Sequence, residues 1–501
     1  MFGGGHGRNA RWMLVTSANY IEDRFDAPTL QEMLVALSFA LDLTEGAVPG
    51  HAIRSCLLAV RVATAMGVEP SVLSDLYYAC LLKDVGCSSN SARMCQIVGG
   101  DDRAVKAGAK LADWTRPHKP DLATVKMLWR QVLPGASALR KTVRLLKIAT
   151  DQHQNNRELI ELRCDRGAMI VQKLGLSSEV AIGVRHLDEH WDGGGYPSRF
   201  KGAEIPLISR LMGVAQHLDA FCMERGPQAA VDTLLERSGR WFDPEMTAAA
   251  AALDRSRRLF ADCLPGDPVE ATRAAILRMN PEGQTSLSAL DIDAICEAFA
   301  DVVDAKSPFT YRHSLGVMDA AAAIGEVMGL PAERMQVLRR AALLHDVGKL
   351  SISNTILDKP TRLSDAELAV VKLHPGMSAE ILGQIGAFRE IAILAGEHHE
   401  KLDGSGYPNG LRVEQLSLES RLLAVADIYG ALSERRPYRE ALAPMQIMAI
   451  MERDAPAKLD GECYEALCTV MANATLPRPV YESAAEDKWA MPGFDAVEAF
   501  I

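Results

Sequence analysis

Aromatic residues are scarce, at 6% of 501 positions, and none of the ten cysteines forms a C-x-x-C pair. Few aromatics, together with long Ala/Leu/Met/Glu/Arg stretches, disfavour a β-sandwich and favour helices. The scattered cysteines exclude a disulfide framework and a thiolate metal site, and read as reduced, buried thiols. No apolar run approaches the roughly 18 residues of a membrane span. Basic charge is also short, with 54 Lys and Arg against 65 Asp and Glu and a net charge of -11. That excludes broad affinity for a nucleic-acid polymer but leaves room for a small anionic substrate held locally. The opening MFGGGHGRNARWMLV has no apolar stretch of secretory length, which sets the expectation of a cytoplasmic protein.

What the chain does contain is an internal repeat. Asp192-Gly-Gly-Gly-Tyr-Pro197 reappears as Asp403-Gly-Ser-Gly-Tyr-Pro408, and both precede a Ser-Arg-Leu helix pattern. LLKDVG from Leu81 mirrors LLHDVG from Leu343, and His51 mirrors His313. The spacings agree: 32 residues separate His51 from Lys83 and His313 from His345, and 32 separate Arg163 from Gly195 and His374 from Gly406. Tyr196 to Gln216 and Tyr407 to Asp427 are both 20 residues. One interval differs, 80 residues against 29, so the first copy carries a 51-residue insertion somewhere in 89–160.

Both copies read as helices. Apolar residues recur at three and four, Thr29 and Glu32 are placed as a capping box, and no stretch alternates as a strand would. The glycine-rich Tyr-Pro segments are loops. The expected organisation is an N-terminal arm (1–27), a first helical domain (28–253), a Pro/Gly-bearing linker (254–285), a second domain (286–475) and a tail (476–501). Within the insertion, residues 101–150 hold 11 basic and 4 acidic side chains. They read first as solvated helix faces, with a partner or membrane-surface patch as the alternative.

Comparison between copies isolates the chemistry. The second copy carries His313, His345, Asp346, His374, His398, His399 and Asp427, where the first has His51, Lys83, Asp84, Arg163, Leu187, Asp188 and Gln216. All five histidines beyond residue 217 fall on these positions. Lys83 and Arg163 cannot donate lone pairs and would repel a divalent ion, so the first copy is expected to be metal-free and structural. Imidazole and carboxylate without thiolate suit iron or manganese first, with zinc, magnesium and nickel as alternatives. Seven ligands exceed the needs of one ion and fit two, with Asp346 as the bridge. Paired ions of this kind acidify a shared water and stabilise the attacking and leaving oxygens at phosphorus. Lys349, one helical turn beyond His345, is expected on the same face, steadying phosphate charge. Arg436 and Arg439, in a stretch the first copy lacks, are placed to fork onto an anion.

These motifs resemble the HD-GYP family of HD-superfamily phosphohydrolases: His345-Asp346-Val-Gly-Lys349, His374-Pro-Gly376, His398-His399-Glu400, Asp403-Gly-Ser-Gly-Tyr-Pro408, Ala426-Asp427 and Arg436-Pro-Tyr-Arg439. The likeness covers about 290–470, and a degenerate copy over about 28–250 is similar to the same fold without its site. The resemblance implies two tandem all-α HD-type domains. It also implies a bi- or trinuclear centre and hydrolysis of cyclic di-GMP to the linear dinucleotide or GMP. Another cyclic dinucleotide, notably 3′3′-cyclic GMP-AMP, is the alternative substrate. A non-enzymatic cyclic-dinucleotide sensor, or a docking partner of diguanylate cyclases (GGDEF proteins), is the alternative class. Residues 305–312 contain no carboxylate, where trinuclear members supply a glutamate, which favours two ions. Because the Gly-Tyr-Pro turn persists in the copy without ligands, Tyr407 reads mainly as a loop-shaping residue.

Overall fold

The computed structural model describes residues 27–113, 122–279, 287–310, 312–436 and 440–473, and their regular elements are all helices. Among them no strand occurs, only isolated bridges such as Ser238–Phe242 and Asp403–Arg412, so the fold is all-α.

The first half opens with α1 (Leu30–Thr44), α2 (His51–Ala65) and α3 (Pro70–Leu82). Thr29 and Glu32 cap α1 reciprocally. Four inserted helices follow: α4 (Ser91–Val98), α5 (Asp102–Leu111), α6 (Leu122–Gln131) and α7 (Ala138–Thr150). The repeat resumes in α8 (Gln152–Lys173), α9 (Ser178–Arg185), α10 (Leu207–Arg225), α11 (Pro227–Glu236) and α12 (Pro244–Arg255). The connecting stretch is more ordered than its prolines and glycines suggest. It holds α13 (Val269–Arg278), whose Ile276 is fully buried, and the Ile276 carbonyl accepts from the Tyr77 hydroxyl.

The second half repeats the plan with α14 (Ala289–Asp304), α15 (His313–Val327), α16 (Ala332–Leu344), α17 (Asn354–Leu357), α18 (Asp365–Val371) and α19 (His374–Leu382). It closes with α20 (Arg389–Glu397), α21 (Leu418–Ser433), α22 (Pro444–Asp454) and α23 (Gly461–Ala472). One apolar core runs through both halves, joining Leu34 and Leu37 of α1 to Phe299, Leu344 and Leu382. Each such buried side chain contributes about 1.5–3 kcal/mol, so the halves are fused by their interior.

The duplication extends to backbone detail. In each half a buried aspartate ending the first helix holds the start of the next. Asp42 accepts from Gly50 N and Ala52 N at 2.8 and 3.0 Å, and Asp304 accepts from Ser314 N and Oγ at 3.1 and 2.8 Å. Gly86 and Gly348 are equally constrained. A Cβ at either would collide with a backbone carbonyl, that of Arg163 or that of His374, so only glycine lets the two helices approach.

The inserted helices lean on the second half. Asp102, fully buried at the head of α5, accepts from Ser353 Oγ at 2.8 Å and Asn354 N at 2.9 Å. Arg103 beside it donates to the Ser351 carbonyl.

Candidate metal centre

Helix ends and their flanks, together with the interior of α21, bring the seven predicted ligands to one place. His313 opens α15, His345 follows the last residue of α16, His374 opens α19, and His398 and His399 follow α20; Asp427 lies inside α21. All but His399 are essentially buried.

Three imidazoles are oriented by the carbonyl three residues earlier. His345 Nδ1 lies 2.7 Å from Ala342 O, His374 Nδ1 2.7 Å from Val371 O, and His398 Nδ1 2.7 Å from Ala395 O. Each Nδ1 donates to that carbonyl, which turns every Nε2 inward as the atom left to bind a proton or a cation. Asp346 sits between two such groups. Its Oδ1 is 3.3 Å from His374 Nε2 and 3.7 Å from His398 Nε2. Its Oδ2 is 3.4 Å from His345 Nε2 and 3.7 Å from His313 Nε2. Asp427 adds Oδ1 at 3.3 Å from His313 Nε2 and Oδ2 at 3.7 Å from His399 Nδ1.

These donors fit metal ions. His313 Nε2, His345 Nε2 and Asp346 Oδ1 are buried without a hydrogen-bond partner, a costly condition unless a cation satisfies them. Separations of 3.2–3.7 Å are also those of two donors bonded to a common ion at about 2.1 Å. The electrostatics agree. Burial disfavours charge on His345, yet Asp346 and Asp427 outweigh it and raise that imidazole to about 10. Burial likewise opposes charge on His313, but Glu434 and Asp427 raise it to about 9. Desolvation pushes Asp346 and Asp427 upward, but the surrounding imidazoles, and Lys349 at Asp346, hold both carboxylates well below the usual range. Burial lowers His399 to about 3, which keeps it a neutral donor.

Lys349 is not on the helix that precedes His345. That helix stops at Leu344, and residues 347–351 form a 3-10 turn forced by the seating of Gly348 on the His374 carbonyl. From this turn Lys349 Nζ donates to Asp346 Oδ2. Lys349, Arg436, Lys306 and Asp346 line one cavity of about 110 Å³, so the positive groups converge beside the ligands. Arg436 is held by Glu434 at 3.2 Å. Arg439 lies outside the described residues.

Four positioning residues carry no motif and escape the sequence reading. Glu434 Oε1 lies 2.9 Å from His313 Nδ1 and fixes its tautomer. Ser378 Oγ donates to the His345 carbonyl at 2.6 Å and accepts from Gly348 N at 2.9 Å. Asp304 anchors the start of α15. Lys306, fully buried, donates to the Leu350 carbonyl at 3.2 Å and supports the turn that bears Lys349. A preserved offset of 262 residues, shared by His51/His313 and Asp42/Asp304, is a signal that could have exposed Asp304.

The Tyr-Pro loop is built identically in both halves. Glu189 accepts from Ser198 N and Phe200 N at 2.6 and 3.1 Å, and Glu400 from Asn409 N and Leu411 N at 2.7 and 2.9 Å. In the second half the Tyr407 ring also packs on His399, centroids 4.8 Å apart. Tyr407 therefore both shapes the loop and seats His399.

At the matching position of the first half, fixed cations take the place of imidazoles. Lys83 pairs with Asp84, and Arg163 with Asp188. The insertion contributes Lys110, 3.1 Å from Glu45 and 3.6 Å from Asp84, and Lys106, 3.5 Å from Glu45. Burial would raise Glu45, but Lys110 and Lys106 hold it at about 2. Glu45, Asp84 and Cys87 lie close enough to share an ion, yet three ammonium groups already supply their countercharge.

Comparison with known proteins places this geometry in context. The family described as HD domain matches residues 132–246 and 297–463. A protein named 3′3′-cGAMP-specific phosphodiesterase 3, from Vibrio cholerae, is 38% identical over 441 residues, spanning 87% of this chain and 94% of the relative. A protein named as a cyclic di-GMP phosphodiesterase, from Pseudomonas aeruginosa, is 38% identical over 248 residues, covering 48% of this chain and 56% of its own. Among solved structures, that of a cyclic GMP-AMP-specific phosphodiesterase of V. cholerae superposes with a TM-score of 0.61 at 33% identity, covering 89% of this chain and 98% of that one.

Proposed function

The chain belongs to the HD-GYP branch of the HD-domain family, and from that premise we propose that it is a metal-dependent phosphodiesterase that opens a cyclic dinucleotide. The observation that carries this reading is the two-sided presentation of Asp346, one carboxylate oxygen toward His374 and His398 and the other toward His313 and His345. A carboxylate so placed could serve two divalent ions: His313, His345 and Asp427 would hold one and His374, His398 and His399 the other, with Asp346 available to both. Iron or manganese suits this nitrogen and oxygen donor set best. When bound, such a pair supplies an acidified water and charge stabilisation at phosphorus.

The chain's own groups do the rest. Lys349 and Arg436 present positive charge in the adjoining cavity, where they bind and orient the phosphates and stabilise charge on the oxygens of the cleaved ester. Arg439 is assigned to the same task by its spacing from Arg436. Burial of the ligands keeps bulk water from competing with the ester.

For the substrate we favour 3′3′-cyclic GMP-AMP. A relative whose match spans 87% of this chain bears that specificity in its name. Cyclic di-GMP stays as the second reading, because relatives named for it match at 38–40% identity over shorter segments. A docking role toward diguanylate cyclases would leave seven converging ligands without a purpose. The test is a single purified sample assayed for metal content and for products from both cyclic dinucleotides. About two ions per chain with linear dinucleotide or GMP as product supports the proposal. Asp346→Ala protein that keeps its turnover would overturn it.

A further inference from the structure

The inserted helices carry a surface that the hydrolytic reaction does not use. Residues 122–150 contain six Lys and Arg and no Asp or Glu, in a chain whose net charge is -11. They fold as α6 and α7, tied together where Lys141 Nζ donates to the Trp129 carbonyl at 3.1 Å. The inner side of α7 leans through Leu145 and Ile148 on a small core of Val98, Val105 and Val132.

Its outer side is bare. Leu139, Val143 and Leu146 are 75%, 59% and 62% exposed, and no residue of α7 is buried. Their spacing of four and three makes them one stripe along the helix, and Arg140, Arg144 and Lys147 form the stripe beside it. On α6, Trp129 and Val125, one turn apart, are 40% and 43% exposed. Large aliphatic side chains this exposed along one helix face mark an interaction surface, because water penalises each of them.

The charge selects the occupant. A second copy of the chain laid on this face would set six cations against six. A surface that is anionic in one plane and apolar just beneath it satisfies both stripes of α7 at once, and a bilayer containing acidic phospholipid has that structure. We infer that α6 and α7 dock the enzyme on anionic membrane lipid, with Leu139, Val143 and Leu146 entering the headgroup boundary. The attachment is peripheral, since no described helix is long and apolar enough to cross a membrane.

Co-sedimentation of the full-length protein with vesicles tests this. Binding to phosphatidylcholine vesicles doped with phosphatidylglycerol is expected to exceed binding to pure phosphatidylcholine by about tenfold or more, and to weaken as salt is added. Leu139→Glu/Val143→Glu/Leu146→Glu and Arg140→Gln/Arg144→Gln/Lys147→Gln proteins are each expected to lose that excess while retaining helicity and hydrolysis of soluble substrate. Equal binding to both vesicle types, or none to either, overturns the inference. So does a wild-type dimer that the triple glutamate variant converts to a monomer without any vesicle binding, which would make the stripe a self-association face.

Discussion

His374 Nε2 and His398 Nε2 face each other at 3.2 Å inside the protein. Both rings spend their Nδ1 hydrogen on a backbone carbonyl, so two lone pairs point at one another in a buried site. That arrangement is repulsive unless positive charge lies between them, and a divalent ion is the group their geometry suits. His398→Ala is expected to remove about one ion per chain and to lower turnover by about 10³-fold or more. Asp346→Ala, which strips both sides of the bridge, is expected to lose both ions. Elemental analysis beside a turnover assay checks each, and full metal content in the His398→Ala protein would refute the assignment.

Glu434 is hydrogen-bonded to His313 at 2.9 Å and also holds Arg436 at 3.2 Å, so under the proposed assignment it acts on a metal through that imidazole. Carboxylates that orient a ligand imidazole typically account for 10–100-fold in metal affinity. Glu434→Gln should therefore weaken one ion by about that factor. Competition with a chelator reads the change, and adding excess metal should restore most of the activity. Activity that stays low at saturating metal would instead place Glu434 on the substrate side through Arg436.

The candidate cluster is legible from sequence because the chain contains its own comparison: positions of its histidines in one half hold Lys83, Arg163 and Leu187 in the other. Helical class is legible for the same reason, since one periodicity recurs twice. Other features depend on three-dimensional packing and leave no local trace. Glu434 falls in a stretch the first half lacks, so no counterpart draws attention to it. Lys110 belongs to the insertion, and nothing in its neighbourhood announces that it neutralises carboxylates that follow α1 and α3. Lys349 illustrates a subtler failure. Its spacing from His345 suits a continuous helix, but Gly348 must press against the His374 carbonyl, and the chain gives up helical geometry to do so.

Lys110 should matter for stability even though it lies far from the chemistry. It is the ammonium group nearest Glu45 and it also reaches Asp84. Removing it takes one of three ammonium groups away from two buried carboxylates, so Lys110→Met is expected to cost up to about 3 kcal/mol at neutral pH. The pH dependence has a definite sign. Glu45 sits at about 2 in the folded chain, below its unfolded value of about 4.3. Its contribution is therefore complete above about pH 4.3 and lost as pH falls toward 2. Urea unfolding across that window should show the gap between wild type and Lys110→Met closing as acid is added. Equal stability at pH 7 would show that the lysine is dispensable.

The Tyr-Pro loops offer a way to separate architecture from chemistry. Gly195 and Gly406 occupy equivalent positions, and a Cβ on either would press into the backbone of residues 188–190 or 400–401, respectively. Neither glycine has a positive φ, so the penalty for alanine is steric and not torsional. Gly195→Ala and Gly406→Ala should each destabilise the fold by roughly 1–3 kcal/mol, the usual cost of overpacking. Their effects on turnover should diverge. Gly406 adjoins Tyr407, whose ring seats His399, so its alanine variant is expected to lose metal and activity together. Gly195 adjoins Tyr196, in the half whose ligand positions are filled by fixed cations, so its variant should keep most of its turnover at temperatures where it remains folded. Thermal unfolding with metal analysis at one temperature below both transitions makes the comparison. If Gly195→Ala loses metal as completely as Gly406→Ala, the loop's role in the second half is not the seating of His399 but a rigidity that both halves must share.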